Sequence, residues 1–278
     1  MGGAAGTRLS GPVAPEGGVG QDRVRSVTDG SGGGRVADVE IERDGPVLEI
    51  RFNRPAKRNA VTNAMYTVIV DALQTLEEDD TLRAAVLSAE GDNFCAGNDI
   101  GDFVSADGPI AATSLLEVLP TLTKPLVAAA QGKAVGIGAT VLLHCDLVYV
   151  AEDLDLRFMF VDIGLVPEAG STLLLPRLVG RARAAEAMLL ASSIDAAKAV
   201  EWGIANEVLH SDRLRARAIE AAHALAAKPP DALRATKALL RGDTDDLVGR
   251  VRAEIKVFAQ MLTGPEFAQA AERFLKPR

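Results

Sequence analysis

One carboxylate lies in a stretch of the chain that is otherwise apolar. Residues 164–171 read GLVPEAGS, and the segment TLLLPRLVG that follows is almost entirely apolar. An ionised carboxylate that is buried without a partner is strongly unfavourable. Glu168 is therefore exposed on a loop, paired with another group, or present for chemistry.

Two glycine-bearing segments could supply a second part of a reaction site. NFCAGND at 93–99 and GKAVGIGAT at 132–140 each follow a predicted strand, and the second opens a predicted helix. The first N–H groups of a helix lack partners and carry a favourable dipole. If the fold brings the two turns together, their N–H groups can stabilise a developing oxyanion. Tight turns and close packing explain each segment when it is taken alone.

Other catalytic classes have little support in the sequence. GKAVGIG is not a P-loop, because no Lys-Ser/Thr pair follows its last glycine, and the chain has no HExxH or GxSxG. His144 lies in an apolar segment, where a hydrogen-bonded core histidine is expected, and His210 and His223 lie in the helical tail. Cys95 stays open as a nucleophile, although no histidine is placed to activate it. No Cys/His ligand spacing occurs, so we predict no metal site.

The patterns around these residues predict the elements that position them. VADVEIER and PVLEIRF alternate apolar and polar residues on either side of DGP, which predicts a β-hairpin. NAMYTVIVDALQTLEED has helical spacing, with one apolar face formed by Met65, Ile69, Leu73 and Leu76. Further strands are predicted at 84–89, at 126–131 and in LVYVA, with a helix in GIGATVLLHCD.

The second half of the chain is dominated by helical patterns. These are RARAAEAMLLAS, IDAAKAVEWG, DRLRARAIEAAHALAA, PDALRATKALLR and DDLVGRVRAEIKVFAQML. Strand–helix alternation followed by helices predicts an α/β fold, with a core at 36–210 and a helical module at 211–278. Residues 1–35 are rich in Gly, Ser and Pro, and we expect a disordered leader there.

Composition excludes several classes of partner. The net charge is -8 and basic residues form no cluster, so neither nucleic acid nor an anionic membrane is an expected partner. No apolar run approaches the roughly 20 residues of a membrane span. Cys95 and Cys145 are the two cysteines, without a CxxC pattern, and they fit a reducing cytoplasmic location.

Several linked motifs resemble the crotonase (enoyl-CoA hydratase/isomerase) superfamily. In chain order they are NRPAKRNAV, NFCAGNDI, KPLVAAAQGKAVGIGATVLLHCDLVYVAED, GLVPEAGS and AVEWGIANEV. The resemblance covers residues 37–278. It implies a spiral of ββα units, a C-terminal helical trimerisation module and a homotrimer or hexamer. It also implies an acyl-CoA thioester substrate, with coenzyme A as part of the substrate and no separate cofactor.

The same resemblance assigns roles to individual residues. It implies that the backbone N–H groups of Asn98 and Ile137 bind the thioester oxygen, which agrees with the role inferred from the two glycine turns. It places Lys57 and Arg58 near the CoA phosphates, with solvated loop charges as the alternative. The other predicted substrate-binding residues are Ala96 and Asp99, whose backbone is expected near the adenine, Ile100, Thr140, Phe160 and Leu165. Residues 102–123 are expected to form a wall of the acyl pocket.

The sequence departs from the hydratases of this family at both water-activating glutamates. Thr140 and Phe160 occupy those positions, so a hydration mechanism with two carboxylates is hard to write. Glu168 lies eight residues after Phe160 and resembles the catalytic glutamate of peroxisomal-type Δ3,Δ2-enoyl-CoA isomerases. Dehalogenase-type members carry an acid at the same position, an aspartate that acts as a nucleophile.

Isomerisation requires only one carboxylate. The base removes a proton from C2 of a 3-enoyl-CoA, backbone N–H groups stabilise the dienolate oxygen, and the acid returns the proton at C4. Phe160, Leu165 and Val166 are expected to keep the pocket dry and to raise the pKa of Glu168. The alternatives are an enoyl-CoA hydratase, a thioester hydrolase, and a non-catalytic acyl-CoA-binding protein with the same fold.

Overall fold

The computed structural model describes residues 1–2, 37–103 and 110–275. The predicted leader lies almost wholly outside these ranges. The strands are β1 (Val39–Asp44), β2 (Val47–Phe52), β3 (Ala84–Ala89), β4 (Leu126–Ala130), β5 (Lys133–Val135), β6 (Leu147–Ala151), β7 (Asp155–Arg157), β8 (Ile194–Asp195) and β9 (Glu207–Leu209).

The helices alternate with these strands and then continue alone. They are α1 (Asn63–Glu78), α2 (Ile100–Phe103), α3 (Ile110–Val118), α4 (Ile137–Thr140), α5 (Ser171–Val179), α6 (Arg181–Leu189), α7 (Ala196–Glu201), α8 (Ser211–Ala226), α9 (Pro230–Arg241), α10 (Thr244–Leu262) and α11 (Pro265–Leu275). This order confirms the predicted α/β fold with a C-terminal helical region. Within the described residues, no helix combines the length and apolar character that crossing a bilayer requires.

The strands form two sheets. One has the order β1-β2-β3-β4-β6-β9, and the other has the order β5-β7-β8. The predicted hairpin is confirmed, with β1 and β2 antiparallel and Val39 opposite Phe52. The chain passes from β4 to β5 and, one turn later, from β6 to β7, and both β4–β6 and β5–β7 pair in parallel. Successive ββα turns therefore stack on one another as a spiral.

Both faces of the larger sheet are covered, which explains the continuous apolar runs in its central strands. On one face lies α1, whose predicted apolar positions Met65, Ile69, Leu73 and Leu76 are all buried. Thr62 caps this helix by accepting a hydrogen bond from the Met65 N–H at 3.2 Å. On the other face, small residues of α8 pack against β3, β4 and β6.

The C-terminal helices are fixed to the core by buried polar contacts. On α9, Lys237 donates to the Lys124 carbonyl at 2.7 Å and to Asp146 at 2.6 Å. On the same helix, Leu239 and Leu240 are each 84% exposed, whereas Val251 of α10 is buried. The exposed leucines are available for the subunit contact that the sequence resemblance implies, and the trimer or hexamer stays a prediction.

Two predicted helices differ from the structure. GIGATVLLHCD is not one α-helix, because the four residues of α4 are followed by a 3-10 turn at Val141–His144. IDAAKAVEWG begins as strand rather than helix, because Ile194 and Asp195 pair with β7 before α7 starts. Helix α5 was not predicted, and it contains Pro176, a residue that normally interrupts helical patterns.

The backbone of α4 packs directly against the first glycine turn. A Cβ atom added at Gly138 would lie 2.6 Å from the carbonyl oxygen of Cys95 and 2.7 Å from its Cβ. The side-chain-free surface of Gly138 therefore allows the two glycine segments to approach.

Replacement of Gly138 by Ala should separate the two segments. We expect Gly138→Ala to lower the free energy of unfolding by about 1–3 kcal/mol, as overpacking does in a tight core. The control is Gly249→Ala in α10, where an added Cβ meets nothing within 4 Å. That change should raise stability by up to about 1 kcal/mol, because Ala has the better helix propensity. Urea unfolding measures both, and an unaltered Gly138→Ala midpoint would contradict the close packing.

Candidate active site

The two glycine turns lie side by side because short strand-like pairing joins them. Cys95 donates its N–H to the Lys133 carbonyl, and Val135 donates to the Cys95 carbonyl, each at 2.9 Å. Gly97 and Gly136 follow this pairing with φ of 99° and 58°, a conformation that glycine adopts readily. The sequence expectation that the fold brings the turns together is confirmed.

Two backbone N–H groups at this junction have no protein acceptor within the described part of the chain. They belong to Asn98 and to Ile137, the first residue of α4. Their neighbours are engaged: Asp99 donates to the Val61 carbonyl at 2.9 Å, and Gly136 donates to the Arg157 carbonyl at 3.1 Å. The arrangement can therefore hold an anionic oxygen between two donors.

A buried tyrosine fixes the side chain of Asn98. Tyr66 donates its hydroxyl hydrogen to Asn98 Oδ1 at 2.5 Å. Burial, followed by the nearby carboxylate of Glu168 and the thiol of Cys95, raises the pKa of Tyr66 well above its usual value. Tyr66 is consequently a neutral, permanent hydrogen-bond donor beneath the site.

Glu168 is buried, which answers the question raised by its apolar surroundings. Its side chain is 5% exposed, and Oε1 accepts a hydrogen bond from Thr140 Oγ1 at 2.7 Å. Burial raises the pKa of Glu168 to about 7, with a smaller upward contribution from Glu254, while the Thr140 hydrogen bond opposes the rise. A carboxyl group with this pKa can both accept and return a proton near neutral pH.

The loop behind Glu168 has an unusual backbone. Ala169 and Gly170 have φ of 60° and 68°, so two consecutive residues are left-handed. His144 Nε2 lies 2.7 Å from the Ala169 carbonyl, and burial lowers the pKa of His144 to about 4. The neutral ring therefore donates to that carbonyl, and the prediction of a hydrogen-bonded core histidine is confirmed.

Two cavities meet at this site. The larger has a volume of about 350 Å³ and is lined by Arg58, Ala96, Gly97, Asn98, Ile100, Lys133, Val135, Gly136, Arg157, Met159, Phe160, Ile163, Leu165, Phe258 and Phe267. The smaller has a volume of about 50 Å³ and is lined by Asn98, Ala112, Thr113, Leu116, Glu168, Ile255, Phe258, Ala259 and Leu262. Asn98 and Phe258 line both, so the cavities adjoin at these two residues.

The sequence-predicted residues are only partly gathered around these cavities. Arg58, Ala96, Ile100, Phe160 and Leu165 line the larger one. Residues 102–123, which were expected to form a wall, contribute Ala112, Thr113 and Leu116 to the smaller one, while 104–109 lie outside the described residues.

Three predicted binding residues, and the predicted oxyanion residue Ile137, line neither cavity. Lys57 is an exposed side chain on the loop. Asp99 forms an ion pair with Arg54 at 2.7 Å. Partial burial raises the pKa of the Asp99 carboxyl group, but the contact with Arg54 outweighs this effect, so the pKa is lowered. Thr140 is fully buried, and its hydroxyl is in contact with Glu168.

The thiol of Cys95 does not fit a nucleophile. The residue is 1% exposed beneath the first glycine turn, and burial raises its pKa to about 12. A protonated, inaccessible thiol is a poor nucleophile, so the alternative left open by the sequence loses its support.

Two parts of the larger cavity were not predicted from the sequence: the cationic residues Lys133 and Arg157, and a wall formed by C-terminal helices. Lys133 and Arg157 share Asp155, at 3.1 and 2.7 Å. These hydrogen bonds, together with one from Ser193, outweigh the effect of burial and lower the pKa of Asp155 to about 2. Phe258 of α10 and Phe267 of α11 lie more than 90 residues after Leu165, the preceding residue of the chain that lines this cavity. The helical spacing of apolar residues on α10 was the only sequence signal for Phe258, and its apolar neighbours Ile255 and Leu262 line the smaller cavity instead.

Burial of Glu168 makes a prediction about stability. The folded-state pKa is raised from 4.5 to about 7, so the stabilising contribution of the protonated group is fully present below pH 4.5 and is lost as pH rises through 7. Relative to a neutral side chain, the ionised group lowers the free energy of unfolding by about 3 kcal/mol at pH 8.

We therefore expect Glu168→Gln to unfold at higher urea concentration than the parent chain at pH 8 and at a similar concentration at pH 5. Glu272→Gln, an exposed glutamate on α11, serves as the control and should change neither midpoint. Equal stability of parent and Glu168→Gln at both pH values would show that the carboxyl group is not buried.

Comparison with known proteins identifies the family to which this architecture belongs. The sequence profile of the enoyl-CoA hydratase/isomerase family matches residues 42–278. A solved enoyl-CoA hydratase/isomerase from Pseudoalteromonas atlantica T6c is 34% identical, with a TM-score of 0.82 over 87% of this chain and 99% of that chain.

The names of the curated relatives record several different activities. A 1,2-epoxyphenylacetyl-CoA isomerase of Escherichia coli is 35% identical over 66% of this chain and 74% of its own length. Enoyl-CoA delta isomerase 2 of Rattus norvegicus is 33% identical over 77% of this chain, which spans only 57% of the rat protein. A 4-chlorobenzoyl coenzyme A dehalogenase of an Arthrobacter species is 30% identical over 85% of this chain and 90% of its own length. The profile match and the shared fold show that the chain belongs to the enoyl-CoA hydratase/isomerase family of the crotonase superfamily.

Proposed function

We propose that the chain converts 3-enoyl-CoA to 2-enoyl-CoA, with Glu168 as the single proton carrier. The placement of Glu168 carries the proposal. Among the described residues that line the two cavities, it is the only acid, and burial brings its pKa to about 7. The acyl-CoA thioester is the substrate class that fits the family.

The reaction follows from the positions of the donors and the acid. The thioester oxygen lies between the N–H groups of Asn98 and Ile137, and the Glu168 carboxylate takes a proton from C2. Loss of this proton leaves a dienolate whose negative charge is carried by the thioester oxygen. When the same carboxyl group returns the proton, the C3–C4 π electrons form the new C4–H bond, the C1–C2 π electrons move to C2–C3, and the thioester carbonyl re-forms. In other enzymes the loss of one such oxyanion donor costs about 3 kcal/mol, so this contribution is large.

The surroundings of Glu168 favour proton transfer over hydration. Thr140, at one hydratase-glutamate position, donates its hydroxyl to Glu168 rather than supplying a second base. Phe160, at the other, contributes an aromatic ring to the larger cavity. A single buried acid can move one proton between two carbons, and excluding water protects the dienolate from side reactions.

The larger cavity is suited to the anionic part of coenzyme A. Three cationic side chains, Arg58, Lys133 and Arg157, line it. Lys133 and Arg157 share the carboxylate of Asp155, whereas no ion pair involves Arg58 within the described residues. Arg58 is therefore the cation best placed to meet a phosphate group.

Replacing Glu168 tests the proton-carrier role. Glu168→Gln keeps the size of the side chain but cannot accept a proton, so turnover of trans-3-hexenoyl-CoA should fall by at least about 100-fold. The affinity for a non-reactive acyl-CoA, measured by calorimetry, should stay within a few-fold of the parent. Glu168→Asp should retain part of the activity because it shortens the reach without removing the acid.

Crotonyl-CoA separates isomerisation from hydration. The parent chain should hydrate crotonyl-CoA slowly or not at all, while it turns over trans-3-hexenoyl-CoA. Fast hydration that survives Glu168→Gln would overturn the proposal. Tight acyl-CoA binding without turnover of either substrate would instead favour a non-catalytic binding protein.

A matched pair of substitutions tests the phosphate site. Arg58→Ala should raise the KM for acyl-CoA several-fold at low ionic strength, with little change in kcat, because one charge contact is lost. Lys57→Ala removes the adjacent cation, which is exposed and lines neither cavity, and should change KM much less. An equal effect of the two substitutions would show that general loop charge, rather than Arg58, attracts the ligand.

A further inference from the structure

A second buried glutamate, Glu254, holds the loop that carries Glu168. It lies on α10 and is 6% exposed. Its Oε2 accepts from the Gly170 N–H at 2.6 Å, and its Oε1 accepts from the N–H and the hydroxyl of Thr172 at 3.0 and 2.5 Å. Every one of these contacts links residues more than 80 positions apart in the sequence.

These contacts replace a helix cap that the local sequence does not supply. Helix α5 starts at Ser171, and Gly170 before it provides no capping side chain. The first N–H groups of a helix need acceptors, and a carboxylate also suits the helix dipole. Glu254 satisfies the N–H groups of Gly170 and Thr172 from a different helix.

The loop needs an external support because its backbone is otherwise unfavourable. Ala169 is a non-glycine residue with positive φ, followed directly by Gly170 in the same conformation. Helix α10 packs so closely on Gly170 that an added Cβ would lie 2.5 Å from Leu247 Cδ1 and 3.2 Å from Val251 Cγ2. Both the carboxylate and the packing surface of α10 therefore fix the turn after Glu168.

The same helix also lines the smaller cavity. Ile255, next to Glu254, and Phe258, Ala259 and Leu262 face that cavity together with Glu168. The acid at position 168 is thus held on one side by Thr140 and, through the loop backbone, on the other side by α10.

We propose that Glu254 is a positioning residue, which keeps the Glu168 carboxyl group directed at the smaller cavity by holding the backbone of residues 170–172. The catalytic readouts of this role rest on the isomerase function proposed above. The positioning itself is a property of the folded chain and has a readout of its own.

The charge of Glu254 gives that separate readout, through its effect on the pKa of Glu168. The titratable groups that face Glu168 are Tyr66 and Cys95, both protonated, and Glu254, whose negative charge favours the protonated form of Glu168. His144, behind the loop, is neutral. Burial raises the pKa of Glu254, while its hydrogen bonds from Thr172 and Gly170 and the charge of Arg250, which lies 3.4 Å from the Thr172 hydroxyl, oppose the rise. The three donors that point at its two oxygens favour the ionised form of Glu254. Neutralising Glu254 should therefore make Glu168 easier to ionise.

The test uses Glu254→Gln, which keeps the shape but places an N–H₂ group against a backbone donor. We expect kcat for trans-3-hexenoyl-CoA to fall by about tenfold or more while acyl-CoA affinity stays within about threefold, since misplacement of a catalytic group affects the chemical step. The acidic limb of the kcat profile should move to lower pH. In a Glu168→Gln background, Glu254→Gln should have no further effect on kcat. Glu272→Gln is the matched control and should behave like the parent.

A stability measurement separates the two proposals. The stability advantage of Glu168→Gln over its parent at pH 8 should be smaller, and should reach its plateau at lower pH, when both carry Glu254→Gln, whether or not any substrate is turned over. Thr172→Ala removes one contact of Glu254 but keeps its charge, so it should lower kcat without moving the acidic limb, and it remains informative if Glu254→Gln folds poorly.

An inactive parent chain would refute the isomerase function but leave the stability readout valid. Parent-like kcat in both Glu254→Gln and Thr172→Ala, with an unshifted pH limb, would overturn the positioning role.

Discussion

The site depends on one unfavourable arrangement, a carboxyl group buried in an apolar pocket with a single neutral partner. Placing Glu168 there lowers the stability of its ionised form by about 3 kcal/mol, which is a large part of the net stability of an ordinary domain. The group stays buried only because the rest of the fold holds it there. Thr140 contacts the carboxyl group itself, and His144 and Glu254 hold the backbone that follows it.

The spiral explains how such distant residues meet. Two successive turns of the chain, β4–β5 and β6–β7, each add one strand to each sheet, so segments that leave neighbouring strands arrive side by side. The pairing of Cys95 with residues 133–135 is one such step, and it leaves the N–H groups of Asn98 and Ile137 unpaired at the same edge. The proximity of these two unpaired N–H groups is therefore a consequence of strand register, supported by the absence of a side chain at Gly138.

Local patterns predicted the parts of the fold that local physics determines. The hairpin, α1 and the buried strands follow from periodicity, and the isolated acid and the glycine turns marked the site. The short strands β5, β7 and β8 escaped prediction because two or three residues carry no period, and their pairing partners lie 20 to 40 positions away. The roles of Glu254, Phe258 and Phe267 were hidden for the same reason, since an amphipathic tail does not show which surface it covers.

The C-terminal region consequently lines the candidate site as well as covering the core. Residues of α10 line the cavity beside Glu168. Glu254, on the same helix, accepts hydrogen bonds from the backbone at the start of α5. A shift of α10 would alter the cavity and the position of Glu168 together, because the helix lines the cavity and holds the backbone at Gly170 and Thr172. The curated relatives differ in the reaction that their names record. A helix that lines the pocket and also holds the backbone after Glu168 offers a physical route by which a change in substrate and a change in chemistry can arise together.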